Sequence, residues 1–354
     1  MNFISNFLET ISKDKNDIYL FGAGFVADVV KKFLEENNIG FCGYLVDPEY
    51  LPENESDRYI DGKPVITDKD LSSDVSVIVA VNPEKFIPNI KITGFIKKLY
   101  WLDFNGPFLL NTKYNLFDDD YMYENHTKLI DTAKMLQDFE SRRTLMMFVA
   151  QKYAGCYFKD YSHNPEYFDD DILCPNEDEV FIDCGAYNGD STLGFLKWLK
   201  QNNINSYKKC IAFEPDNKNF EEMKRNLAFY KDIELYNIGT HERKDVLHFA
   251  GDNKTASRFA EIGGVSVTVD SIDNILKGEK ATYIKMDIEG SELSALKGAK
   301  QTITKYKPRL AICVYHKIED LLTIPQYIAS LNPDYKFYLR SYNPTALETV
   351  LYAV

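Results

Sequence analysis

The sequence predicts an α/β protein of two domains, each an open and mainly parallel sheet with helices packed on it. Three observations carry this. Short apolar runs recur along the chain and alternate with amphipathic helical stretches. Two of the runs end in glycine pairs that open a helix, Gly22-Ala-Gly24 and Gly185-Ala-Tyr-Asn-Gly189. At 354 residues the chain suits two cores and a connector better than one. The expected division is a small domain over 1–110, a helical connector over 111–172 and a second domain over 173–354.

In the first domain, Ile18–Phe21, Phe41–Val46, Val75–Val81 and Ile96–Leu102 read as strands, with a helix from the Gly22–Ala27 turn to about Asn37. Asp61-Gly-Lys-Pro64 reads as a loop into a further short strand. Met1–Ile11 has the spacing of a short amphipathic helix and lacks the basic start and apolar core of a signal peptide. From about Tyr114 to Tyr153 the pattern is helical, and Asp138–Ala150 clusters its apolar residues on one face. Cys156–Asp178 is aromatic, acidic and interrupted by Pro165 and Pro175, which predicts an irregular segment draped over the second domain.

In the second domain Val180–Cys184, Cys210–Phe213, Ile233–Ile238, Thr282–Met286 and Leu310–Tyr315 read as parallel strands. Helical patterns over Ser191–Lys200, Asn217–Tyr230 and Ser291–Tyr306 follow the first, second and fourth. Val246–Phe249 and Val265–Val269 alternate as an inserted antiparallel pair, and Tyr335–Leu339 with Thr349–Ala353 as a closing hairpin. Both domains are therefore Rossmann-like in layout.

Hydrophobic residues at 45% suffice for two packed cores. A net charge of -13 argues against a nucleic-acid polyanion as main partner. The six cysteines are scattered without a Cys-x-x-Cys pair, which argues against a zinc site or a disulfide framework. No run reaches the length of a membrane span, so the expectation is a soluble, cytoplasmic protein, with self-association as a homo-oligomer left open.

The chemistry concentrates in the second domain, at the strand ends where open sheets of this kind hold ligands. Asp183 and Gly185 end its first strand, Gly189 allows close backbone approach, and Asp190 and Ser191 open the helix. The helix amides favour a carboxylate while Asp183 and Asp190 favour an ammonium. That mixed polarity fits the amino-acid end of S-adenosylmethionine better than a pyrophosphate. The spacing of Gly185 and Gly189 also departs from Gly-x-Gly-x-x-Gly. Glu214, followed by Pro215, is placed to reach ribose hydroxyls, with Asn237 and Ile238 framing an adenine at the next strand end. Asp287 ends the fourth strand and His316 the fifth beside it, so one of them is expected to take the proton of an acceptor hydroxyl. His126, His163, His241 and His248 have no comparable placement. No dedicated metal site is expected, although Asp287 and Glu289 with a further carboxylate would suit magnesium.

Phe181–Asp190, Phe213-Glu-Pro-Asp216, Ile284-Lys-Met-Asp-Ile-Glu-Gly-Ser-Glu292 and Ala311–His316 together resemble the FkbM family of S-adenosylmethionine-dependent methyltransferases, Lys285–Gly290 being the hallmark. The resemblance covers about residues 165 to 354 and implies a seven-stranded methyltransferase sheet, parallel with a terminal antiparallel hairpin. It implies O-methylation of a sugar, nucleotide-sugar or glycan precursor, with Asp183, Gly185 and Gly189 in the cofactor loop, Glu214 as the ribose acid and Asp287 as the acid after the strand. Tyr187 stands where many members have asparagine. A noncatalytic nucleotide or nucleotide-sugar sensor is the alternative, and an NAD-dependent dehydrogenase is disfavoured by the glycine spacing.

In the first domain Gly22-x-Gly24-x-x-Ala27 with Asp47 outlines a dinucleotide fingerprint. This region resembles the small Rossmann-like domains beside sugar-modifying transferases. A docking module, a nucleotide-sugar pocket and an NAD site remain open readings.

Overall fold

The computed structural model describes residues 3–81, 95–101, 119–154, 161–250, 260–343 and 347–354. Leu102, the start of the connector near Tyr114, and Cys156 lie outside them. The chain forms two compact units, Met1–Met122 with Phe148–Tyr157, and Tyr123–Met147 with Phe158–Val354.

The first unit begins with helix α1 (Phe3–Ser12), whose Phe7 and Ile11 enter the core on one face. Strand β1 (Asp17–Phe21) runs into the glycine turn and helix α2 (Phe25–Glu36). Strands β2 (Gly43–Leu45), β3 (Tyr59–Ile60), β4 (Lys63–Ile66), β5 (Val75–Val79) and β6 (Ile96–Trp101) complete a sheet of order β3-β4-β2-β1-β5-β6. All its pairings are parallel except β3 with β4, which are joined by the Asp61-Gly62 turn. β5 is buried along its whole length, as its unbroken apolar run requires of a central parallel strand.

Helices α3 (Asp119–Met135) and α4 (Phe139–Ala154) lie within the stretch expected as a connector, and the two compact units divide α4 between them. Within the second unit, the turn between them is pinned by Arg340, whose Nη2 donates to Asp138 Oδ2 at 2.7 Å. Residues 161–178 contain no helix or strand, as their prolines and acids predict.

The second unit holds strands β7 (Val180–Cys184), β8 (Lys209–Phe213), β9 (Ile233–Tyr236), β10 (Gly239–Thr240), β11 (Asp245–Ala250), β12 (Ala260–Asp270), β13 (Tyr283–Met286), β14 (Arg309–Cys313), β15 (Phe337–Ser341) and β16 (Thr349–Ala353). Seven of them form a sheet of order β15-β16-β14-β13-β7-β8-β9, five in parallel and closed by the antiparallel pair. This is the sheet the resemblance implies. β11 and β12 pair antiparallel beside it, with β10.

Its helices are α5 (Asp190–Gln201), α6 (Asn217–Leu227), α7 (Ile272–Leu276), α8 (Glu292–Gly298), α9 (Lys300–Tyr306) and α10 (Asp320–Leu331). The stretch read as one helix over Ser291–Tyr306 is two. Ala299 leaves helical geometry at φ -106, and Gly298 lies so close to the His241 carbonyl that a side chain there would collide. An aromatic layer of Phe168, Phe181, Phe195, Trp198 and Tyr283 fills the face beneath α5, with Phe181 and Phe195 stacked at 4.5 Å. Cys184, Cys210 and Cys313 are buried in strands as small hydrophobes. Among the described residues no helix is long and apolar enough to cross a membrane.

Candidate active site

The ends of β7, β8 and β13 open into one cleft of about 1260 Å³. Clefts for one small ligand run to about 1,000 Å³ at most, so there is room for two molecules side by side. Its floor follows from the register. β13 lies between β7 and β14, and Lys285 pairs with Asp183 across β13 and β7. Their side chains form an ion pair at 3.3 Å, both essentially buried. Asp183 Oδ2 also accepts from Ser191 Oγ and Thr192 Oγ1, each at 2.7 Å, which ties β7 to the start of α5. Lys285 Nζ donates to the Gly185 carbonyl at 2.7 Å. The paired carboxylates and hydrogen bonds outweigh burial and hold the Lys285 ammonium charged.

Gly185 has φ +76, and a Cβ there would run into the Asp287 carbonyl. Only glycine lets the turn after β7 pass this close to the turn after β13. Gly189, at φ +90, is the N-cap of α5 and packs against Leu227. Glu214, after β8, folds back under the same turn. Its Oε2 accepts from the Tyr187 backbone N–H at 2.9 Å, and its Oε1 from that of Asp216 at 2.8 Å. Burial pushes its carboxyl up to about 7 against those hydrogen bonds. Asn237 Nδ2 donates to the Glu214 carbonyl at 3.0 Å and fixes the next strand end against this one.

At the other end of the cleft Asp287 accepts from Tyr167 Oη at 2.9 Å on Oδ2 and from Tyr315 Oη at 3.4 Å on Oδ1. Burial would raise this carboxyl, but Lys285, His316 and the Tyr167 hydrogen bond hold it below the usual carboxylate range. Glu166 lines the same end, with its Oε1 buried and without a hydrogen-bond partner among the described residues. Burial, helped by the Glu348 and Asp287 carboxylates, pushes it up to about 8. His316 sits behind Asp287, its side chain only 4% exposed. Its Nε2 is 3.5 Å from Asp287 Oδ1 and 3.3 Å from Glu289 Oε2, and its Nδ1 is 2.9 Å from Glu292 Oε1. Burial disfavours the charged ring, but Glu292, Asp287 and Glu289 prevail and raise it to about 9.

Residues 183–337 match the family model of the methyltransferase FkbM domain. The crystal structure of methyltransferase FkbM from Methylobacillus flagellatus KT is 25% identical and superposes with a TM-score of 0.76, covering 99% of this chain and 93% of that one. Residues 183–337 are therefore a methyltransferase FkbM domain. An rRNA methylase from Streptococcus thermophilus is 16% identical over 53% of this chain and 91% of its own, with a TM-score of 0.34. Among curated proteins none matches.

Of the residues singled out in the sequence, Gly185, Tyr187, Asp190, Ser191, Glu214, Pro215, Asn237, Asp287 and Glu289 line the one cleft. Asp183, Gly189, Ile238 and His316 do not line it. Asp183 is fully buried and spent on Lys285 and the α5 hydroxyls, so it shapes the turn and does not face a ligand's ammonium. Glu292, Asp287 and Glu289 favour the charged form of the His316 ring, which does not line the cleft, and Asp287 and Glu166 are the carboxylates that do at this end. Magnesium held by oxygens at Asp287 and Glu289 finds no support, because the third group facing both is an imidazole.

Sequence reasoning passed over Glu166 and Tyr167, which come from the irregular segment and join the site through Asp287. Their one signal was the aromatic and acidic density of that segment. His241, set aside for want of a strand-end position, lines the cleft beyond β10, where the chain leaves the main sheet.

Proposed function

We propose that the chain transfers the methyl group of S-adenosylmethionine to a hydroxyl of a sugar, nucleotide-sugar or glycan precursor. The observation that carries this reading is a single cleft with Glu214 at one end and the Asp287–Glu166 pair at the other, large enough for a cofactor and an acceptor. The residues present suit such a cofactor. Glu214 offers a carboxylate oriented by two backbone N–H groups toward a diol, and the Gly185–Gly189 turn keeps side chains off the approach. When bound, S-adenosylmethionine supplies an electrophilic methyl group.

At the acceptor end, Asp287 stays ionised and is aimed by Tyr167, so it can accept a hydrogen bond and fix the direction of a hydroxyl. Glu166, near 8, is tuned to take that proton close to neutral pH. The acceptor oxygen becomes far more acidic as its new bond forms, so a carboxylate is a sufficient base. Polar groups at this end suit the many hydroxyls of a carbohydrate.

The test is mass spectrometry of a nucleotide-sugar panel incubated with the protein and methyl-labelled cofactor. A labelled mono-methyl ether on one member is the expected outcome. Transfer only to nitrogen or carbon acceptors would remove the O-methyl reading.

A further inference from the structure

We propose that Asp287 and Glu166 form a cation subsite for the positively charged sulfonium of a methyl donor, so that the chain binds the charged donor in preference to the neutral thioether left by methyl transfer. The inference rests on the proposed S-adenosylmethionine reading and adds to it the charge state of that ligand which the site selects.

The sheet order sets where such a charge would lie. β7 stands between β8 and β13, so a ligand that reaches Glu214 after β8 crosses the Gly185 turn and carries its reactive end to Asp287 after β13. Neighbouring strands lie about 4.8 Å apart, which spaces those two ends by roughly 10 Å. Glu166 and Glu348 line the cleft with Asp287. Glu348 immediately precedes β16, whose antiparallel pairing with β14 brings it to this end of the sheet.

The positive groups nearby are matched from behind the cleft wall. Lys285 Nζ faces Asp183 at 3.3 Å and the Gly185 carbonyl at 2.7 Å, and Asp183 does not line the cleft. His316 Nδ1 is 2.9 Å from Glu292 Oε1, and neither residue lines it. Among the described residues the other lysine or arginine of the wall is Lys197, which lies about 9 Å along α5 from Ser191. The reactive end of the cleft is therefore left with an excess of negative charge.

The independent observation is Glu166. Its Oε1 is buried and has no hydrogen-bond partner among the described residues, although the residue lines the cleft. Burial and the Glu348 and Asp287 carboxylates raise it by more than Tyr167 and Lys285 lower it. Carboxylates that repel one another across a partly desolvated cleft make a place that a cation relieves. Asp287 is directed there by Tyr167 Oη at 2.9 Å. Transfer of the methyl group leaves the C–S electron pair on sulfur and passes the hydroxyl proton to Glu166, so one ligand charge and one carboxylate charge vanish together. The attraction that holds the donor is then absent from the product, which favours its release.

The experiment is titration calorimetry of the full chain at pH 8 with three probes that share the adenosine and amino-acid groups. They are S-adenosylmethionine, S-adenosylhomocysteine and sinefungin, in which a carbon bearing an ammonium replaces the methylated sulfur. S-adenosylmethionine and sinefungin should each bind at least about tenfold tighter than S-adenosylhomocysteine. That ratio should shrink by at least about threefold in Glu166→Gln and in Asp287→Asn, with S-adenosylhomocysteine still bound. Glu166 lies in a segment without helix or strand, so its variant keeps the test decisive if Asp287→Asn fails to fold. Equal or tighter binding of S-adenosylhomocysteine by the wild type overturns the cation subsite and leaves the cofactor reading standing. So does a preference that both variants retain in full, or one shown by sinefungin alone, which would report hydrogen bonding by its N–H groups. Binding of none of the three overturns the cofactor reading and this inference with it.

Discussion

The two glycine turns of this chain are built on one plan, and the comparison separates what a glycine pair does from what a ligand site needs. In the first unit Gly22 N–H donates to the Leu45 carbonyl, Val46 N–H to Ile66, and Ala80 N–H to Phe21. In the second unit Gly185 N–H donates to Phe213, Glu214 N–H to Tyr236, and Asp287 N–H to Cys184. The matching bonds make Gly22 equivalent to Gly185, Val46 to Glu214 and Ala80 to Asp287. A Cβ on Gly22 would lie 2.5 Å from the Ala80 carbonyl, as one on Gly185 would strike that of Asp287. Both glycines are therefore demanded by close backbone packing. The chemistry comes from the neighbouring strand ends, which carry Glu214 and Asp287 in one unit and Val46 and Ala80 in the other.

Asp47, which completes the dinucleotide outline in the sequence, is one residue past the equivalent of Glu214 and starts a short turn at Pro48. The difference extends into the strands. Asp183 and Lys285, an ion pair in the second unit, occupy the register positions of Leu20 and Ile78 in the first.

Substituting the second unit toward the first tests this directly. Lys285→Met leaves Asp183 as an uncompensated buried charge and should cost about 3–5 kcal/mol of stability, read by urea denaturation. Replacing both, as Asp183→Leu with Lys285→Ile, should recover part of that loss, because well-packed apolar pairs often substitute for buried ion pairs. Equal stability of Lys285→Met and wild type would mean that the pair is not buried as described.

Glu166→Gln should lower turnover by about 10²–10⁴ with cofactor affinity unchanged. In the wild type turnover should rise as pH increases through about 8, where Glu166 loses its proton, and the variant should lack that rise. A pH profile that is the same in both proteins would remove Glu166 as the base.

Glu214→Ala should weaken S-adenosylhomocysteine binding by about 1.5–3 kcal/mol, the range for charged hydrogen bonds. Because its carboxyl stands near 7 and the ionised form is the better acceptor, affinity in the wild type should fall as pH drops below 7. The smallest effect belongs to the first unit: Asp47→Ala should change that affinity by less than about 0.5 kcal/mol. A large effect there would show that its glycine turn also serves the ligand.

The fold was legible because buried parallel strands such as Val75–Val79 and Val180–Cys184 write themselves as unbroken apolar runs, and strand-end acids interrupt them visibly. Glu214 and Asp287 could be picked out for that reason. Tyr167 and Glu166 could not, since Tyr167 meets Asp287 from 120 residues away through a segment with no periodicity. His316 was visible as a strand-end residue, but its protonation depends on Glu292 and Glu289 turning back toward it, which spacing does not encode. The break at Gly298 was likewise hidden, because its cause is the carbonyl of His241.

The most direct test of the cofactor site is titration calorimetry of S-adenosylhomocysteine into the full chain and its Glu214→Ala and Asp47→Ala variants at pH 8. The account expects one site per chain, weakened at least about tenfold in Glu214→Ala and intact in Asp47→Ala. Absence of binding to the wild type, or equal affinity in wild type and Glu214→Ala, would contradict it.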